Sequence, residues 1–211
     1  MTIVLLIRHG QNDYIGKRLA GRNLGVHLNH DGYTQAQLLA VTLKDIPVTA
    51  IYSSPLERAV ETAQPLAKSK SLPVLISQAL IEVDFGEWTG MAKQEMESQP
   101  LWQTVQLNPA EMRFPGGESF VEAKERITTG LNEIVARHEK NQIIACFSHS
   151  DAIKLAITSA LHMSINTFQN LLINPASVSI INFTADRNYL VCMNWQPALD
   201  SSLPSEMAPN K

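Results

Sequence analysis

The chain has 211 residues, 45% of them hydrophobic and 18% charged, which suits one globular domain with a full core. A formal net charge of −3 argues against a nucleic-acid-binding surface. No apolar run reaches bilayer-spanning length and no basic stretch leads into a long apolar one, so a cytoplasmic setting is expected.

Residues 2–8 predict a buried strand, because Ile3-Val4-Leu5-Leu6-Ile7 is an apolar, β-branched run. It delivers Arg8 and His9 to its C-terminal end, where Gly10 allows a sharp turn. Residues 31–44 predict an amphipathic helix with Leu38, Leu39, Val41 and Leu43 on its apolar face. Residues 49–53 predict a second strand, and Pro55 fits the first turn of a helix running to about Lys68. A short strand is expected at 74–76.

Residues 84–116 break the alternation. They contain Trp88, Trp102 and several Pro and Gly residues without a clean period, and predict an insertion over the site, partly helical at 91–105. Trp88, Trp102 and Phe114 either line the substrate entrance or form the insertion's own small core. Ser119 and Glu122 have capping-box spacing for a helix reaching about Glu139. A buried strand follows at 142–148, then a helix at 151–161, then a closing pair of strands at 177–184 and 189–195. Cys146 and Cys192 fall in strand-like runs and read as buried thiols. The predicted architecture is an α/β three-layer sandwich with a mostly parallel six-stranded sheet. Its domain covers 1–196, with a mobile tail at 197–211 rich in Pro, Ser and Ala.

Four segments place polar residues of one chemical flavour at strand ends or helix starts. They are Arg8-His9-Gly10, Ser53 through Arg58, Glu82 through Gly86, and Ser148-His149-Ser150. Two arginines, two histidines and a glutamate can therefore meet at one sheet edge, where open α/β sheets bind ligands. Phosphoryl transfer needs such a set, since its transition state spreads negative charge over three equatorial oxygens. Arginine's planar fork binds two of those oxygens at once. A neutral histidine can attack phosphorus, and neighbouring guanidinium groups disfavour its protonation. A partly buried carboxylic acid can then protonate the leaving alcohol.

These motifs, in order, resemble the histidine phosphatase superfamily in its phosphoglycerate mutase-like branch. The resemblance runs from Ile3 to about Trp195. It rests on Arg8-His9-Gly10 with Leu19-Ala20-Gly21-Arg22; on Leu28-Asn29, Gly32 and Gln35-Ala36; and on Tyr52 through Leu56 with Arg58, Ala59, Glu61, Thr62 and Ala63. It continues through Glu82–Gly86 with Trp88 and Gly90, Pro115 through Ser119 with Arg126, and Ser148-His149. The resemblance implies His9 as nucleophile, Arg8, Arg58 and His149 as phosphoryl-oxygen holders, and Glu82 as proton donor and later base. Asn12, Gly21, Arg22 and Ser150 join the expected phosphate and substrate contacts, and no metal or other cofactor is implied.

The chain departs from the family pattern in places. Gln11-Asn12 replaces Glu followed by Thr or Ser, although the Asn12 amide can still donate to phosphate. Ile15 stands where many relatives carry a phosphate-binding Asn. Ser150 replaces a Gly, so a positive φ there is less comfortable. His27 and His30 lack further ligands at metal-site spacing. The expected activity is hydrolysis of a small phosphorylated metabolite, with a phosphomutase and a non-catalytic phospho-ligand binder as alternatives. A homodimer is the expected oligomer on general grounds.

Overall fold

The computed structural model describes residues 1–197. The mobile tail expected at 197–211 thus lies, beyond Pro197, outside the described residues. The chain forms six strands: β1 (Thr2–Arg8), β2 (Val48–Ser53), β3 (Val74–Ile76), β4 (Ile143–Ser148), β5 (Val178–Phe183) and β6 (Tyr189–Trp195). They build one sheet in the order β3-β2-β4-β1-β5-β6. β1, β2, β3 and β4 pair in parallel, and β5 runs antiparallel to both β1 and β6. Only β5 is therefore reversed, and the sheet is mainly parallel as expected.

Strand alternation separates two cores. Val4 and Leu6 face one layer with Phe120, Ile127, Leu131 and Ile153. Leu5 and Ile7 face the other with Leu39, Leu43, Ile51 and Leu66. The first layer is carried by α5 (Phe120–Ala136) and α6 (Ser150–Ala160), the second by α1 (His30–Thr42) and α2 (Glu57–Lys70). Burial on both faces explains why β1 and β4 read as continuous apolar runs rather than alternating ones.

Caps match their sequence signals where a side chain provides them. Asn29 Oδ1 accepts from Gly32 N at 3.0 Å to start α1. Ser119 and Glu122 bond each other's backbone N–H groups at 3.1 and 3.0 Å to start α5. α5 ends at Ala136, short of the expected Glu139. Gln142 Oε1 accepts from Glu139 N and pairs with His138, turning the chain out of the helix. Pro55 does not occupy the first helical turn. α2 begins at Glu57 after Leu56, because Ser54 N is still bonded to Phe147 O at 2.9 Å and the chain bends at Pro55 and Leu56, where Leu56 N donates to Ser54 Oγ, before the helix starts.

The segment 84–116 contains α3 (Lys93–Glu97) and α4 (Trp102–Leu107), flanked by single 3₁₀ turns at Gly86–Trp88 and Pro109–Glu111. It does not form a separate core. Trp88 and Phe114 are buried in the same cluster as α5 and α6, with Phe114 edge-on to Phe85, Trp88 and Phe120. Gly86, at φ +50°, and Gly117 let two loops cross here. A Cβ on Gly117 would lie 2.3 Å from Asp84 O, and one on Gly86 would lie 2.1 Å from Pro115 O.

Candidate active site

The carboxyl ends of β1, β2 and β4 lie side by side. Arg8 pairs in register with Ser148, and Ser53 with Phe147. His9 N donates to Ser148 O at 3.0 Å, extending the ladder one residue beyond the strands. Gly10 serves close approach rather than left-handed backbone: its Cβ would sit 2.8 Å from Gly32 O, and its φ is not positive. Gly10 N donates to Thr62 Oγ1, whose own hydroxyl donates to Arg58 O, so α2 is latched directly to the β1 turn.

A cleft of about 180 Å³ opens at this edge, bordered by Arg8, His9, Asn12, Gly21, Arg58, Glu82 and Ser150. His9 Nδ1 lies 2.8 Å from Gly10 O. A carbonyl can only accept, so Nδ1 carries the proton and Nε2 keeps its lone pair. Burial, then the Arg58 and Arg8 charges, hold the His9 imidazole well below its ordinary range. His9 is therefore neutral at pH 7.

Arg58 is 1% exposed and Arg8 is mostly buried. Arg58 Nη2 donates to Gly21 O at 2.6 Å, and Arg8 Nη1 donates to Ile173 O at 2.6 Å. Burial lowers the Arg58 guanidinium to about 10, leaving it charged at neutral pH. Three further donors of this pair are buried without a protein partner: Arg8 Nε, and Arg58 Nε and Nη1. The Asn12 carbonyl oxygen caps a turn, accepting from Tyr14 N and Ile15 N, while its Nδ2 is likewise unpartnered. Buried donors without acceptors are costly. Here they converge on one cleft, which fits an anion with several oxygens.

His149 lies behind His9, with ring centroids 5.2 Å apart, and is fully buried. Its Nε2 is 2.7 Å from Ser54 Oγ, and its Nδ1 has no partner. Ser54 Oγ also accepts from Leu56 N at 3.3 Å, and its hydroxyl proton is free to donate to His149 Nε2. With that hydroxyl donating to Nε2, the single N–H of the neutral ring falls on Nδ1, the nitrogen without a protein partner. Burial and the Arg58 charge keep this ring neutral too. Ser150 opens α6 after His149 at the cap, and its φ is not positive, so the serine in place of glycine carries no backbone strain.

Glu82 is 8% exposed. Its Oε1 accepts from Val83 N at 3.0 Å and Ala152 N at 3.2 Å. Burial, then the nearby Asp151 charge, raises its carboxyl to about 7 against the opposing pull of Arg58. Oε2 is the oxygen left to carry the proton.

Arg22 is not among the cleft-lining residues. Its Nε donates to Glu82 O at 2.9 Å, Nη1 lies 3.3 Å from Asp84 Oδ2 and Nη2 lies 2.9 Å from Glu118 Oε2. The guanidinium is spent on the chain itself. Sequence reasoning also passed over Ser54, Thr62 and Asp151 as parts of the site. Ser54 and Thr62 stand inside the motif that carries Arg58, and Asp151 follows Ser148-His149-Ser150, but a hydroxyl or acid in such a place gives no sign of which distant group it will bond. His27 pairs with Glu61. Among the described residues, no group of three or more His, Cys, Asp and Glu side chains is placed to hold a metal.

Buried guanidinium donors, a neutral imidazole and a carboxyl that keeps its proton near neutrality define a phosphoryl-transfer site at a parallel-sheet edge. The chain belongs to the histidine phosphatase superfamily (branch 1), whose profile it matches over residues 4–196, and it is a phosphatase. It is 32% identical to phosphoserine phosphatase 1 of Hydrogenobacter thermophilus, covering 92% of both chains. It is 30% identical to the 2,3-bisphosphoglycerate-dependent phosphoglycerate mutase of Thermoplasma acidophilum, over 89% of this chain and 90% of that one. Among solved structures it is similar to a mycobacterial glucosyl-3-phosphoglycerate phosphatase in complex with VO3. That match has a TM-score of 0.83 and 27% identity, over 91% of this chain and 98% of the other.

Proposed function

We propose that the protein hydrolyses a small phosphomonoester through a phosphohistidine at His9 Nε2. The observation that carries this reading is the 2.8 Å contact between His9 Nδ1 and Gly10 O, which leaves Nε2 unprotonated in the cleft. In the first step the Nε2 lone pair forms an N–P bond as the bond from phosphorus to the leaving oxygen breaks. The proton on Glu82 goes to that oxygen, giving a neutral alcohol. In the second step ionised Glu82 takes a proton from water as the water oxygen attacks phosphorus. The N–P bond breaks, releasing phosphate and restoring neutral His9 and protonated Glu82.

The unpartnered donors of Arg8, Arg58, Asn12 Nδ2 and His149 Nδ1 hold the phosphoryl oxygens. Ser150 contributes its backbone N–H at the start of α6, where the helix dipole favours an anion. Gly21 acts through its carbonyl, which fixes Arg58, and Arg22 acts as a positioning residue beneath Glu82. The charge of the phosphoryl group is met by arginine, so this reading needs no metal.

The similarity to a phosphoglycerate mutase favours a second reading, in which the phosphoryl returns to another hydroxyl. Hydrolysis is preferred because Lys93 and Arg113, the two cations of the 84–116 segment, do not border the cleft and pair at the surface with Glu97 and Glu122. A small-molecule substrate in a cytoplasmic setting, with no nucleic-acid partner, completes the reading. The test is phosphate release from an aryl phosphomonoester in EDTA. Parent activity should survive the chelator and His9→Ala should abolish it. Turnover above roughly one-tenth of parent in that variant rules out His9 as nucleophile. Interconversion of 2- and 3-phosphoglycerate faster than phosphate release would establish the mutase.

A further inference from the structure

A second cavity of about 180 Å³ adjoins the phosphoryl cleft, with Leu19, Phe85 and Asp151 bordering both. Trp88, Trp102, Phe114 and Met96 supply much of its remaining wall. Continuity with the cleft places this space on the leaving-group side, since Asp151 borders both spaces and its charge acts on Glu82 in the cleft. Apolar cavities of roughly 150 Å³ take up benzene, so a six-membered ring is a reasonable occupant.

The polar groups on the cavity wall are Gln106, Asp151 and Gln169, none of them a cation. Lys154 does not line the cavity, and its ammonium is held 3.2 Å from Asp151 and 3.1 Å from Gln169. A carboxylate entering here would lose its hydration and meet Asp151 rather than a countercharge. An apolar body loses unfavourable contact with water instead.

We infer that the substrate's leaving alcohol carries an uncharged, largely apolar body, aromatic or branched, which seats in this cavity. A hydroxyl or amide N–H on that body would donate to Asp151 at the junction. Substrates whose leaving group bears a carboxylate are disfavoured. This inference rests on the phosphatase reading above and names its substrate class.

The experiment compares kcat/KM for 2-phenylethyl phosphate, glycerol 1-phosphate and 3-phosphoglycerate. All three leave as alkyl alcohols, so leaving-group basicity is closely matched. The phenylethyl ester should exceed 3-phosphoglycerate by about tenfold or more. Met96→Trp, which fills the cavity, should cut the ratio of phenylethyl ester to glycerol phosphate by about tenfold, chiefly through KM. If that variant fails to fold by circular dichroism, Trp102→Ala removes an aromatic wall and should lower the same ratio. Hydrolysis with 3-phosphoglycerate preferred, or a ratio unchanged in the folded variant, overturns the inference and leaves the phosphatase reading intact. Failure to release phosphate from all three esters and from an aryl phosphate overturns both.

Discussion

Glu82 decides how turnover depends on pH. Its carboxyl, raised to about 7, must be protonated to assist the leaving alcohol. The fraction of protonated acid falls as pH rises through that value, so kcat/KM for an alkyl ester should decline above pH 7. Glu82→Gln should abolish that limb along with most of the activity. Asp151 raises the Glu82 value by its negative charge, so Asp151→Asn should move the limb to lower pH. A limb that stays in place in that variant would mean another group titrates. His149 gives a second prediction at this scale. Ser54 holds its ring in place through the 2.7 Å contact to Nε2. Ser54→Ala should lower kcat by about tenfold or more, with Ser54→Thr recovering most of it, as steady-state kinetics would read.

Individual elements reach the site through one ionic clamp. Glu118 accepts from Arg126 Nε at 2.9 Å and from Asp84 N at 3.1 Å, and lies 2.9 Å from Arg22 Nη2. Arg126 also donates to Ala79 O and Ile81 O. Burial pushes the Glu118 carboxyl up, but the two arginines outweigh it and hold the group below its usual range. The start of α5 is thereby tied to the segment that carries Glu82. Glu118→Gln should destabilise the protein by about 1–3 kcal/mol in urea titration, and should reduce kcat more than it raises KM. The loop crossing beside this clamp is as tight. Gly117→Ala should cost roughly 1–3 kcal/mol, because its Cβ would meet backbone rather than a side chain able to move aside.

Across the whole molecule, a packed sheet between two helical layers carries the cleft at its edge. Phe147 is fully buried on β4, next to Ser148 and His149. Phe147→Ala should lower unfolding free energy by about 3–5 kcal/mol, measured by denaturant titration, since a central strand cannot collapse onto the void. Much of this architecture was legible beforehand. β1 and β4 announced themselves as apolar runs, Ser119 and Glu122 as a capping box, and Arg8-His9-Gly10 as a polar strand end. Pairing over three or four residues is a local property, and local patterns survive folding. Pro55 misled because its preference for a first helical turn is local too, while the bond from Ser54 to β4 comes from a strand about ninety residues away.

The sequence by itself determined the layered α/β class, the order of the strands along the chain, and the residue types gathered for phosphoryl chemistry. It did so because burial period, caps and strand-end polarity depend on near neighbours. Only the tertiary structure decided that Arg22 turns inward to Glu82, Asp84 and Glu118 rather than toward the cleft. Only it showed that Ser54 orients His149, and that Trp88 and Phe114 are at once core and cavity wall. The Arg22 and Ser54 contacts join groups about sixty to a hundred residues apart in the chain. Which donor is satisfied, and which is left for a ligand, is settled only when those distant partners meet.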